Sequence, residues 1–242
     1  MPARRLVHYL PGRIHLALML ALTFSTGIID AVGYLGLDRV FTGNMTGNVV
    51  ILGMGLAGAD DLPVVGPAVA LVSFMAGAVI GGRVLKPVKA GWSTRTTALF
   101  GTVGILMAGI AITMFAVGSQ VQGPLETIVT AALAVAMGIQ AAAARHLAVK
   151  DITTVVVTSL ITGLAADSRL GGGLGQPWVR RVAALALISA GAIGGALAIS
   201  LHLGAGVALA AVIVLAVTVI GHVAQRAHQE STSTSERDDV QR

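Results

Sequence analysis

Asn44 and Asn48 stand four residues apart in the stretch Phe41-Thr-Gly-Asn-Met-Thr-Gly-Asn48, with Thr42 and Thr46 four apart beside them. On a helix that spacing stacks two amides on one face and two hydroxyls on the next. Amides and hydroxyls both donate and accept, so such a lining can replace the hydration shell of a small polar solute or ion. Gly43 and Gly47 alternate with these groups and permit irregular backbone among them. The same groups also serve as ties. Threonine hydroxyls bond back to their own helix carbonyls, and amides bridge helices.

Asp30 lies deep in a long apolar run, where an unpaired ionised carboxylate would cost several kcal/mol, so it must be protonated, paired or hydrated. It can act as a proton- or cation-coupling group, pair with Arg39, or cap a broken helix. Gln140 is its nearest polar counterpart in the second half of the chain, and a lone amide there also reads as a helix–helix contact. Thr154, Thr158 and Thr162 form a further ladder of one hydroxyl per turn. The histidines fall at the edges of apolar runs without metal-ligand spacing, and cysteine is absent, so no metal or cofactor is expected. No nucleophile elbow, phosphate-binding loop or intramembrane carboxylate pair occurs, so the chain is not expected to be an enzyme.

These groups need an apolar frame to position them, and the composition supplies one. Apolar residues make up 55% of 242, charged residues 11%, and the mean hydropathy is +0.85, which marks a polytopic membrane protein. Crossing a hydrocarbon core of about 30 Å takes roughly 20 residues. Six runs qualify, at 16–36, 62–82, 96–118, 124–144, 182–201 and 204–225. Two shorter runs, 42–58 and 152–166, do not: a helix of about 15 residues is about 22 Å long. They read as re-entrant or broken half-helices, which are tolerated at membrane depth where protein buries them or water fills a cavity beside them.

The pI near 10.4 does not signal nucleic-acid binding, because the basic residues lie in short links between apolar runs. With six crossings, Arg4, Arg5 and Arg13, the 83–95 link, the 145–150 link and the 169–181 loop all fall on one side, which the positive-inside rule makes cytoplasmic. Both termini then face the cytoplasm. Arg39 is the exception, with Asp38 beside it as a local partner. Residues 1–226 read as one membrane domain, and 227–242, rich in Ser, Thr, Glu and Asp, as a disordered cytoplasmic tail.

The two parts of that domain, about 1–120 and 121–226, resemble each other. Gly27 and Gly138 are 111 residues apart, and Thr42 and Thr46 match Thr154 and Thr158 at 112. Three crossings per half make the repeat inverted, an arrangement that brings two broken elements together near the midplane. Gly77 with Gly81 and Gly191 with Gly195 give small-residue spacings that admit close helix approach, within the chain or in a homodimer.

The segments TFSTGIIDAVGY at 23–34, FTGNMTGNVVILG at 41–53 and KDITTVVVTSLITGLAADS at 150–168 resemble the YoaK-like family of bacterial inner-membrane proteins, a family defined by a domain of unknown function. The resemblance runs over nearly the whole chain and implies a multi-pass inner-membrane protein without assigned substrate or catalytic residues. Ala141 and Ser159 depart from the Asn and Gly that the resemblance leads one to expect. The fold expected is all-α integral membrane, with six transmembrane helices and two short re-entrant ones. The function expected is a small-solute channel or secondary transporter whose pathway is lined by Asp30, Thr42, Asn44, Thr46, Asn48, Gln140, Thr154 and Thr158. The alternatives are a non-transporting assembly partner, for which these groups are structural ties, and, less favoured, an intramembrane enzyme.

Overall fold

A computed structural model of the chain describes residues 3–88, 90–118, 121–147, 157–173 and 178–240, with side chains from residue 12 to 227. Eight α-helices form among the described residues: α1 (Ala3–Gly36), α2 (Met45–Leu56), α3 (Val65–Leu85), α4 (Thr94–Val117), α5 (Pro124–His146), α6 (Val157–Ala166), α7 (Val179–Leu201) and α8 (Leu203–Val240). Six contain spans long and apolar enough to cross a membrane, at 12–36, 65–85, 94–117, 124–146, 179–201 and 203–227. These match the expected runs to within four residues at each end. The chain is an all-α integral membrane protein.

Local chemistry sets the helix ends. Ser93 caps α4 by accepting from the Thr96 amide at 3.2 Å, and Gly118, at φ 95°, stops it. Pro124 opens α5, where a missing amide proton costs nothing. Between α7 and α8 a single extended residue, His202, turns the chain, and its Nδ1 accepts from the Gly204 amide at 3.0 Å. The sequence expects disorder over 227–242, whereas α8 continues to Val240. Once the packed span has nucleated a helix, each further residue adds a hydrogen bond at little cost, even in a polar stretch.

Packing pairs α1 with α7 and α3 with α5, and these helices run parallel within each pair. At each crossing a glycine of one helix lies on the other's backbone. Gly27 sits over Ile188 and Ala192 of α7, and Gly138 sits in the same way over Phe74 and Ala78 of α3. Gly191 lies on Phe24, and Gly77 on Val135; Gly195 meets Ile28 and Ala31, and Gly81 meets Ile139 and Ala142. Each residue of α1 named here corresponds to one of α5 at an offset of 111, and each of α3 to one of α7 at 114. The small-residue stripes are therefore spent inside the chain, where a side chain would hold the backbones apart. Burial follows the same pairing. Inside their spans α1 and α5 are 67% and 61% buried, and α3 and α7 are 22% and 17% buried. The first two are central, and the others turn Val72, Val79, Ile193 and Leu197 outward, toward lipid.

The ends of the bundle differ in charge. His15 of α1 stacks on Trp92, whose ring also lies against Gly221 of α8, and the ends of α3 and α5 bring Lys86, Arg145 and His146 to one cavity there. The parallel α1–α7 pair sets Arg180 and Arg181 at this basic end too. Asp38, Asp60 and Asp61 lie in the loops of the opposite end.

Candidate functional site

After α1 the chain reverses and descends along the helix it has just left. Asp38 and Arg39 make the reversal in left-handed backbone, at φ 47° and 57°, bracketed by bonds from the Leu37 amide to Gly33 O and from the Val40 amide to Leu37 O. Asp38 and Arg39 form no ion pair with one another, contrary to the pairing their adjacency offers. The Val40 carbonyl lies where Gly33 would carry a Cβ, so Gly33 is what lets the returning loop approach. Thr42 Oγ1 reaches Ile29 O at 3.5 Å, and Gly43 settles beside Thr26, Asp30 and Met137. Thr26 lies two residues, about 3 Å along the axis, from the middle of its span, so the loop enters to mid-membrane depth. From there α2 climbs back over 12 residues, about 18 Å, to the loop that opens α3.

Asp30 organises the bottom of this loop. Its Oδ1 accepts from the Gly43 amide at 2.7 Å and the Asn44 amide at 3.2 Å. The carboxylate thus sits at the amino end of α2, where exposed amides and the helix dipole favour negative charge. Of the roles open to Asp30 as a structural group, the structure displays the capping one; it forms no ion pair with Arg39 or any other described residue. Asn44 caps α2 by accepting from the Gly47 amide at 3.2 Å. Asn48 reaches back under the helix: its Oδ1 accepts from the Phe41 amide at 2.9 Å and its Nδ2 donates to the Phe41 carbonyl at 2.6 Å. This two-bond clamp satisfies a backbone unit held at membrane depth.

A cavity of about 880 Å³ opens beside the loop, walled by Thr26, Asp30 and Tyr34 of α1, the start of α2, Val157 and Thr158 at the start of described α6, and Ile188 of α7. Of the sequence-selected residues, Asp30, Asn44, Thr46 and Thr158 line it. Three do not, and each is committed elsewhere. Asn48 is fully buried in the Phe41 clamp and Thr42 is fully buried against Ile29. Gln140 is fully buried and donates to Thr26 Oγ1 at 3.3 Å from behind the wall, a tie between α5 and α1. At the offset of 111 Gln140 corresponds to Ile29, so the counterpart of Asp30 is Ala141. Thr154 lies outside the described residues.

Thr26 and Tyr34 were missed, although they lie at i−4 and i+4 from Asp30 and extend its stripe by one turn each way. Phe41 was missed as a wall residue; it meets Tyr34 in a stacked pair with ring centroids 5.0 Å apart.

The family described as "Protein of unknown function (DUF1275)" matches residues 18–220, which runs from within α1 to within α8 and includes every element of the cavity. The chain belongs to this family. UPF0700 transmembrane protein YoaK of Bacillus subtilis (strain 168) is 31% identical over 151 residues, which is 62% of this chain. The match covers 65% of that relative, a little under two thirds of its length. No solved structure matches the chain. Membership and fold agree: the protein is a multi-pass membrane protein of the YoaK-like family.

Proposed function

We propose that the protein is a non-enzymatic channel or secondary transporter for a small polar solute in the bacterial inner membrane. The observation that carries this reading is the cavity between the two short helices, with Asp30 and a mid-membrane loop in its wall. Non-helical backbone at that depth is tolerated beside water or inside protein, and here it fronts a cavity whose wall sets Thr26, Asp30, Asn44, Thr46 and Thr158 among apolar residues. In this reading the halves form an inverted repeat, supported by the opposite senses of their crossings, α1 leaving the basic end and α5 arriving there. The basic end is cytoplasmic by the positive-inside rule, which places both termini inside.

The test is solute flux into proteoliposomes carrying the purified chain, with Asp30→Asn as comparison. The asparagine keeps an oxygen for the Gly43 and Asn44 amides, so the loop holds while the charge goes. Faster uptake than in protein-free vesicles, altered in the variant, supports the proposal. Uptake of no small polar solute, with Asp30→Asn silent in cells, would remove it.

A second reading has its own observation. Asn48, Thr42 and Gln140 are all used as internal ties, as expected of a membrane assembly partner that carries nothing. Co-purification of one stoichiometric protein, with Asn44→Ala lowering protein level alone, would favour it.

A further inference from the structure

We infer that the solute taken by the Asp30 cavity is a small organic cation, an alkylamine or quaternary ammonium. This rests on the transport reading above and adds the substrate class. Among the described residues that line the cavity Asp30 is the one charged group, with neither lysine nor arginine beside it. Its position is fixed: two backbone amides hold Oδ1, so the carboxylate stays in the wall. An inorganic cation would be served by a shell of oxygens. This wall carries oxygens on Thr26, Asn44, Thr46 and Thr158 and adds what an inorganic cation does not need: Tyr34 one turn above the carboxylate, with Phe41 stacked on Tyr34 at 5.0 Å between centroids, tilted by 23°.

Aromatic residues make up 4% of the chain, and two of them meet beside this single carboxylate. The pairing is built from the sequence outward. Asp30 and Tyr34 share a face of α1 at i, i+4. Gly47 gives the Phe41 ring its seat, since a Cβ there would come within 2.7 Å of Phe41 Cδ2. A carboxylate beside aromatic rings, with apolar Val50 and Ile188 completing the wall, matches an ammonium group carrying alkyl substituents: charge meets charge, the rings meet the cation, and the alkyl groups meet carbon. A neutral polyol would leave Asp30 without a complementary charge, and an anion would be repelled by it.

The test uses the full-length protein in detergent and in proteoliposomes, with tetramethylammonium as the cationic probe and glycerol and acetate as neutral and anionic ones. Saturable tetramethylammonium binding is expected, weakened about tenfold or more by Asp30→Asn and about threefold by Tyr34→Leu, with uptake following the same order. Tyr34 is 41% exposed, so its replacement leaves the packed core alone; thermal unfolding confirms that each variant is folded. If glycerol or acetate crosses and tetramethylammonium does not, or if its binding ignores Asp30, the cation assignment is overturned while the pathway stands. If none of the three binds or crosses through folded protein, both fail together.

Discussion

Asn44 and Asn48 look alike in the sequence, and the structure sets them apart by an amount that can be measured. Replacing Asn48 with alanine removes the acceptor of the Phe41 amide at 2.9 Å and the donor to the Phe41 carbonyl at 2.6 Å, in a residue with no exposed surface. Each backbone group left without a partner at membrane depth costs about 1–3 kcal/mol, so the pair amounts to roughly 2–6 kcal/mol. Asn44 is an exposed cap holding one amide, and its loss costs about 1 kcal/mol. At about 2–4 °C per kcal/mol for a chain of this size, Asn48→Ala should lower the unfolding midpoint by roughly 4–24 °C and Asn44→Ala by about 2–4 °C. Tryptophan fluorescence of the purified protein, which carries Trp92 and Trp178, follows the transition during heating in micelles. Asn48→Asp should rescue nothing. It keeps an acceptor for the amide and sets a second oxygen against the Phe41 carbonyl. Equal shifts for Asn44→Ala and Asn48→Ala would refute the clamp, and a larger shift at Asn44 would reverse the assignment.

Gly27→Leu and Gly138→Leu should each abolish accumulation of folded protein, because the new side chain would enter the backbone of α7 or α3; membrane-fraction yield reads this, and normal yield from either variant would contradict the packing. The natural lack of cysteine permits single-cysteine labelling of intact cells with a membrane-impermeant maleimide. Ala59→Cys and Val117→Cys should label and Ala90→Cys should not; the reverse pattern would invert the orientation. Arg181 Nη1 meets Asp167 Oδ2 at 2.7 Å and ties the end of α6 to α7. Because Asp167 is half exposed the pair contributes about 1 kcal/mol at most, so Arg181→Ala should speed hydrogen exchange in α6 severalfold and leave α2 unchanged.

The six crossings were legible because a run of about 20 apolar residues in so uncharged a chain has few other uses. The shortness of the 42–58 run likewise announced a segment that enters without crossing. Which polar groups face the cavity was not legible. The i, i+4 rule places Asn44 and Asn48 on one face provided both lie inside a helix, but α2 begins at Met45. Asn44 is therefore a cap, and Asn48 is drawn toward Phe41, a residue the returning loop has carried beneath the helix. No periodicity reports that fold-back. Gln140 failed for a related reason: its depth was right, but its side chain points into the α1–α5 contact at Thr26. Thr26 and Tyr34 were available from the same rule applied to Asp30, at one turn to either side.

The proposed repeat is more faithful in its packing than in its chemistry. Gly27 and Gly138 each seat on a partner backbone in the same way, as do Gly77 and Gly191, so the scaffold requires the same small residues in both halves. At the position of Asp30 the second half has Ala141, and a methyl group cannot gather two loop amides as the carboxylate does. The tether that the described residues show for α6 lies at its far end, between Asp167 and Arg181; the first half has Gly55 and Pro67 at the matching positions, offsets of 112 and 114. One short helix is thus anchored at mid-membrane depth by its amino end, and the other near the basic surface by its carboxyl end. In the proposed pathway a solute at Asp30 meets a fixed wall on the α2 side, whereas the ion pair that the described residues show at the end of α6 is partly exposed. That pair contributes far less than the Phe41 clamp, so of these two described contacts it is the one the proposed pathway should break first.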